Sequence, residues 1–289
     1  MAQTAPAPPR GQPRPGGRDR DTRPGPAAAP AVWRELLLIA VFYTGYTLTR
    51  LVLVSDGTAP AFRHAEQILR FERFLGIDVE LGLNQTLLHL PWLARTANIF
   101  YATAHFVITL AVVVWVWRCR PADYRWLRTS LITATAVALL GFWLYPLAPP
   151  RFLHAEGFVD PVTALHSLGL YASDASGTLT NQYAAMPSMH AGWALWCGFV
   201  VARLASRRWV RVAALLYPAT TLFVILSTAN HYVLDAVVGM GLIGASLGLA
   251  WLAYHRCPAR LSGLPGKALT RLRQHQSTAP ATSRSSSAA

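Results

Sequence analysis

An all-α membrane bundle of six transmembrane helices is the fold class this sequence predicts, and three observations predict it. Hydrophobic residues make up 53% of the 289 positions and charged residues only 13%, about half of the roughly 25% charged share of ordinary soluble domains. Apolar runs near the ~20 residues needed to cross a bilayer recur six times along the chain. Basic residues gather in alternate connections between those runs, the asymmetry that orients membrane proteins.

Residues 1–31 are rich in Pro, Gly, Ala and Arg and lack apolar periodicity. Such a segment buries too little surface to offset its ordering entropy, so a disordered cytoplasmic tail is expected, and not a signal peptide. A single membrane-embedded domain is expected over 32–256, with spans at about 33–54, 98–117, 127–146, 187–204, 209–228 and 232–254. Residues 257–289 are polar and low in complexity, which predicts a second disordered cytoplasmic tail. Within 60–92 the pattern is mixed. It predicts one or two interfacial helices with Phe62, Ile68, Leu69, Phe71 and Phe74 on apolar faces.

The formal net charge of +13 comes from 25 Arg and a single Lys set against 13 acidic residues. A nucleic-acid partner would need those charges on one soluble face, and they are instead broken into short clusters. The tail to Arg34, the Arg118–Arg128 and Arg203–Arg211 connections and the segment from Arg256 onward hold 20 of the 26 basic residues. Both termini are therefore expected in the cytoplasm of a multi-pass cell-membrane protein. Cys119, Cys197 and Cys257 are too few and scattered for a disulfide framework or a zinc site and read as free thiols.

Residues with chemical potential cluster at three places, and the arginine counts put all three on the extracytoplasmic face. On a helix, His231 and Asp235 share one face. A carboxylate on one imidazole nitrogen fixes the tautomer and leaves the other nitrogen as nucleophile or base; a structural ion pair is the plainer alternative. Pro187-Ser188-Met189-His190 has the form of a helix start whose free N–H groups suit a phosphate, or of a helix cap with an interfacial histidine. Arg151 follows a restricting Pro-Pro pair and suits bidentate phosphate binding, or it anchors a lipid headgroup. Asn98, Tyr101 and His105 share one face of the second span. They form either a polar wall toward the site or, the preferred reading, interhelical hydrogen bonds that lock the bundle. Gly244-x-x-x-Gly248 in the last span predicts close helix packing.

Arg151, then Pro-Ser-x-His ending at His190, then His231-x-x-x-Asp235 resembles the ordered three-motif signature of the type 2 phosphatidic acid phosphatase superfamily. The resemblance runs over roughly 98–254. Leu144 stands where the usual first motif has Lys, Met189 replaces a glycine, and Val224 and Ile225 stand where Ser-Arg is usual. This thinner cation set looks more like the inositolphosphotransferase branch, which includes inositol phosphorylceramide synthases.

The resemblance implies a phosphotransferase acting on a lipid-linked phosphate or phosphodiester. His231 would form a phosphohistidine and Asp235 would orient it. His190 would serve as acid and then base, and Arg151 and Ser188 would hold the phosphoryl oxygens. Two histidines and an arginine without a carboxylate cluster suited to magnesium or calcium point to chemistry without metal or cofactor. A membrane lipid is the expected partner. The alternatives are a lipid phosphate phosphatase, which would share every one of these residues, and a non-enzymatic transporter or lipid-binding protein.

Overall fold

The computed structural model describes residues 31–53, 58–166 and 182–256; apart from Ala31, both tails lie outside the described residues. The helices are α1 (Val32–Leu53), α2 (Thr58–Leu75), α3 (Glu80–Leu88), α4 (Pro91–Cys119), α5 (Pro121–Leu144), α6 (Pro161–Ala164), α7 (Met189–Leu204), α8 (Arg208–Ser227) and α9 (Val233–Arg256). Proline opens α4, α5 and α6, where its missing N–H costs nothing and its φ is already helical. Among the described residues there is no strand, only an isolated bridge between Leu147 and Ala184.

Among the described residues four helices, α4, α5, α8 and α9, are long and apolar enough to cross a bilayer; six spans were expected. The helix at the expected fourth span is shorter. With 16 residues, α7 extends about 24 Å at 1.5 Å per residue, less than the ~30 Å hydrocarbon core. It packs against α4, α5, α8 and α9, so protein surrounds it. With 22 residues α1 has the length to span, and residues 36–53 hold a single charged residue. Glu35 pairs with Arg128 and accepts a 2.9 Å hydrogen bond from the Tyr124 hydroxyl, which ties α1 to α5.

The outward faces of the four spanning helices carry Val107, Leu110, Val137, Leu140, Leu215, Leu216 and Leu249, all exposed. A water-soluble monomer would not leave so much apolar surface uncovered. Exposed Trp92 and Trp143 sit at one end of the bundle and Trp33 and Trp209 at the other, as in the aromatic belts of membrane interfaces. On α2, Ala61, Ala65, Ile68 and Leu69 are buried while Phe71, Phe74 and Leu75 are exposed. Its inner face packs on the connection that follows α5 and on the start of α9.

The tightest contact joins the N-terminal ends of α7 and α9. A Cβ built on Gly239 would lie 2.1 Å from the Ser188 carbonyl oxygen, so only glycine admits this crossing. Close packing was expected further along α9, at Gly244 and Gly248. Nothing among the described residues comes within 4 Å of a Cβ at either, because both glycines lie on the exposed face of α9 while Ile243 and Leu247 turn toward α7. Gly239→Ala is expected to overpack this junction at a cost of about 1–3 kcal/mol. The check is thermal unfolding of the purified protein in detergent: a lower Tm is expected, and an unchanged Tm would contradict the contact.

Candidate active site

The helices alternate end to end, so four segments meet at one end of the bundle: the start of α4, residues 145–160 after α5, residues 182–188 before α7, and residues 228–232 before α9. Backbone bonds stitch them together. The Leu147 N–H donates to Tyr183 (2.8 Å), that of Ala148 to Ala61 (3.2 Å), that of Arg151 to Ala229 (2.8 Å) and that of Ser188 to Asp235 (3.0 Å). The Tyr232 hydroxyl donates to the Ala148 carbonyl at 3.1 Å. Ala229 has φ of +53°, a left-handed conformation that L-residues adopt at a cost. It turns the chain sharply at the end of α8 and presents Asn230 and His231.

His231 and His190 meet with Nε2 and Nδ1 3.2 Å apart. The other nitrogen of His231, Nδ1, lies 3.2 Å from Asp235 Oδ2, which also accepts the Tyr232 N–H at 3.1 Å. With Asp235 accepting, the His231 proton sits on Nδ1 and the Nε2 lone pair faces His190. His190 therefore supplies the hydrogen of the Nδ1–Nε2 contact, and its own Nε2 is buried without a partner. The His190 ring is held between two side chains of α4. Tyr101 stacks on it, centroids 4.3 Å apart at 20°, and His105 lies 4.1 Å away. His105 Nδ1 is in turn 3.0 Å from the Tyr101 carbonyl. Of the three α4 residues singled out, Tyr101 and His105 thus touch the histidine cluster, while Asn98 is buried at the same end of α4.

Ser188 is the N-cap of α7, and its Oγ accepts from the Ala191 N–H at 3.3 Å. Arg151, 4% exposed, donates to Asn230 Oδ1, lies 3.9 Å from Asp160 and covers the Phe152 ring at 4.7 Å. The guanidinium is thereby held one residue from His231. Among the described residues, no three His, Cys, Asp or Glu side chains converge as metal ligands would.

Four further residues belong to this end of the molecule and were given no role from the sequence. Asn230 and Asp160 hold Arg151. Glu72 and Glu80 are fully buried, and their Oε1 atoms each accept a 2.6 Å bond, from the Leu234 and Val233 N–H groups respectively. Burial first, and then the nearby Glu80, push the Glu72 carboxyl up to about 9; burial raises Glu80 as well. One signal was legible. Glu72 follows Ala61, Ala65, Ile68 and Leu69 on a single helical face, a carboxylate placed where the pattern demands an apolar residue.

A family model described as the PAP2 superfamily matches residues 66–249. The match spans more than half of the chain and takes in Arg151, His190, His231 and Asp235. No curated protein and no solved structure matches the chain. With the histidine pair, its carboxylate and its arginine at one end of an apolar helical bundle, and with that match across them, this chain belongs to the PAP2 superfamily.

Proposed function

We propose that this protein is a membrane lipid phosphotransferase that works through a phosphohistidine, with its site on the extracytoplasmic face. The observation that carries the reading is the line Asp235–His231–His190, in which the free lone pair of one imidazole faces the proton of the other. A phosphoryl group entering between the rings replaces that contact. His231 Nε2 attacks phosphorus as the ester P–O bond breaks, and the leaving oxygen takes a proton from His190. An anionic phosphate beside His190 favours the doubly protonated ring needed for that step. In the second half, an acceptor hydroxyl gives its proton to His190 while its oxygen takes the phosphoryl group from His231. Asp235 holds the positive imidazole formed at His231, and Arg151 and the N–H groups at the start of α7 hold the phosphoryl oxygens.

Transfer to a lipid-soluble alcohol is favoured over hydrolysis by the aromatic flank of Arg151. Phe62, Phe152 and Tyr183 lie with centroids 6.2–6.5 Å apart, an apolar surface suited to a bulky partner and unfavourable to water. Tyr145 and Tyr232 do not extend it. Tyr145 stacks on His64 at 4.0 Å and Tyr232 is buried with its hydroxyl bonded to backbone, so both are scaffold.

Turnover of phosphatidylinositol or a polyprenyl phosphate by the purified protein, with and without candidate alcohols, tests this reading. Vanadate is expected to inhibit and chelators to have no effect. His231→Ala should lower turnover by about a thousandfold or more, and Arg151→Lys by roughly ten- to a hundredfold through the lost fork of charged hydrogen bonds. A folded His231→Ala protein with unchanged turnover would exclude the phosphohistidine. Free phosphate released from phosphatidic acid at a rate no alcohol alters would make the protein a phosphatase.

Orientation follows from the positive-inside bias. In a cysteine-free background, Ala155→Cys beside the site is expected to react with an impermeant maleimide on intact cells. Ser206→Cys at the opposite end should react only after permeabilisation. The reverse pattern would turn the protein over.

A further inference from the structure

The first turn of α9 is capped by three carboxylates from three different helices. Tyr232 N–H bonds Asp235 of α9 itself, Val233 N–H bonds Glu80 of α3, and Leu234 N–H bonds Glu72 of α2. A helix N-terminus welcomes negative charge, but three anions in one buried corner repel strongly. Among the described residues no Arg, Lys or His forms an ion pair with Glu72 or Glu80. The groups that act on the two glutamates are Asp235 and each other, with Tyr232 and, beyond it, Tyr145 also in this corner.

The second oxygens close the argument. Glu72 Oε2 and Glu80 Oε2 are buried with no hydrogen-bond partner among the described residues, and the consecutive N–H groups of Val233 and Leu234 hold the two carboxyls side by side. Two carboxylate oxygens are both acceptors, and they satisfy one another only with a proton between them. Two protons would forfeit the anion that the helix end favours, and none would leave two buried like charges in contact. One proton is the state that answers both constraints.

We propose that Glu72 and Glu80 share a single proton and, in that state, act as positioning residues that hold the start of α9 so that His231, Asp235 and His190 keep their alignment. The route is short. Val233 and Leu234 directly precede Asp235, whose side chain orients His231 and whose carbonyl accepts the Ser188 N–H at 3.0 Å. Ser188 opens the helix that carries His190. A shift of the α9 start therefore moves both histidines together. Neither glutamate touches the reacting atoms.

The pair also sets a pH dependence. A carboxyl raised from 4.5 to about 9 on folding binds a proton in the folded state that the unfolded chain has already released. Its contribution is fully present below about 4.5, declines as pH rises, and is gone above about 9.

The proposal rests on the phosphohistidine reading for its catalytic consequence, and the test separates the two. Infrared spectra of the wild-type protein at pH 7 should show a protonated-carboxyl band that Glu72→Gln removes; this readout needs no substrate. Glutamine reproduces the neutral partner, since its oxygen accepts from Leu234 and its amide donates to Glu80. Glu72→Gln should therefore keep kcat to within about threefold, less than an ordinary hydrogen bond is worth, and lose the wild-type decline in kcat near pH 9. Glu72→Ala leaves a buried N–H and a carboxylate unsatisfied, so it should lower kcat by roughly ten- to a hundredfold with KM little changed. Absence of a band sensitive to Glu72→Gln, or equal loss of kcat in the Gln and Ala variants, would overturn the proposal. The band present in a wild-type protein that turns over no lipid phosphate would overturn the functional reading and the positioning role, and leave the shared proton standing.

Discussion

The meeting of two helix N-termini, α7 and α9, is the constraint on which the rest of this structure depends. A helix start leaves backbone N–H groups without partners, and placing two starts side by side beneath an interface concentrates donors in one buried corner. Here the Ser188 N–H is satisfied by the Asp235 carbonyl, the next turn of α7 by the Ser188 side chain, and the first N–H groups of α9 by three carboxylates. Gly239 lets the two backbones close to that distance. Each histidine lies within a few residues of this joint, so its precision is transmitted directly to the His190–His231 contact.

That corner explains why so much of the surrounding chain is polar yet buried. Arg151 brings a positive charge under cover and is met by Asn230 and Asp160. Asp235, fully buried, is met by an imidazole and a backbone N–H. A buried charge is tolerated only when paired or hydrogen-bonded, and here the pairing groups come from the loop after α5 and the turn before α9, while α2 and α3 cap the next N–H groups of α9. The helices outside the membrane-spanning set are thus part of the site's support. Their apolar residues, Ala61, Ala65, Ile68 and Leu69, pack on the same loop that presents Arg151.

The two aromatic neighbours of His190 act differently from the acids. Tyr101 and His105 flank the ring and restrict its rotation without engaging the nitrogen that faces His231. They sit on a spanning helix whose opposite face carries exposed Val107 and Leu110. One helix therefore supplies a lipid-facing wall and the side of a polar pocket, the division that a 3.6-residue period makes available.

Composition, apolar run length and the placement of arginines were enough to determine an all-helical membrane protein, because those properties depend on the transfer of each segment into lipid and not on what packs beside it. Arg151, His190, His231 and Asp235 could be singled out because their chemistry is out of place in such a chain and because His231 and Asp235 are one helical turn apart. Which residues hold those four in register was decided by tertiary structure. Glu72 and Glu80 lie more than 150 positions before the N–H groups they cap, and no periodicity links partners so distant. The close crossing at Gly239, where Gly244 and Gly248 offered an equally suitable pattern, was likewise a matter of which face of α9 turns toward α7. The shortness of α7 is tolerated for the same reason: four neighbouring helices surround it, and a helix sheltered by protein need not match the thickness of the bilayer.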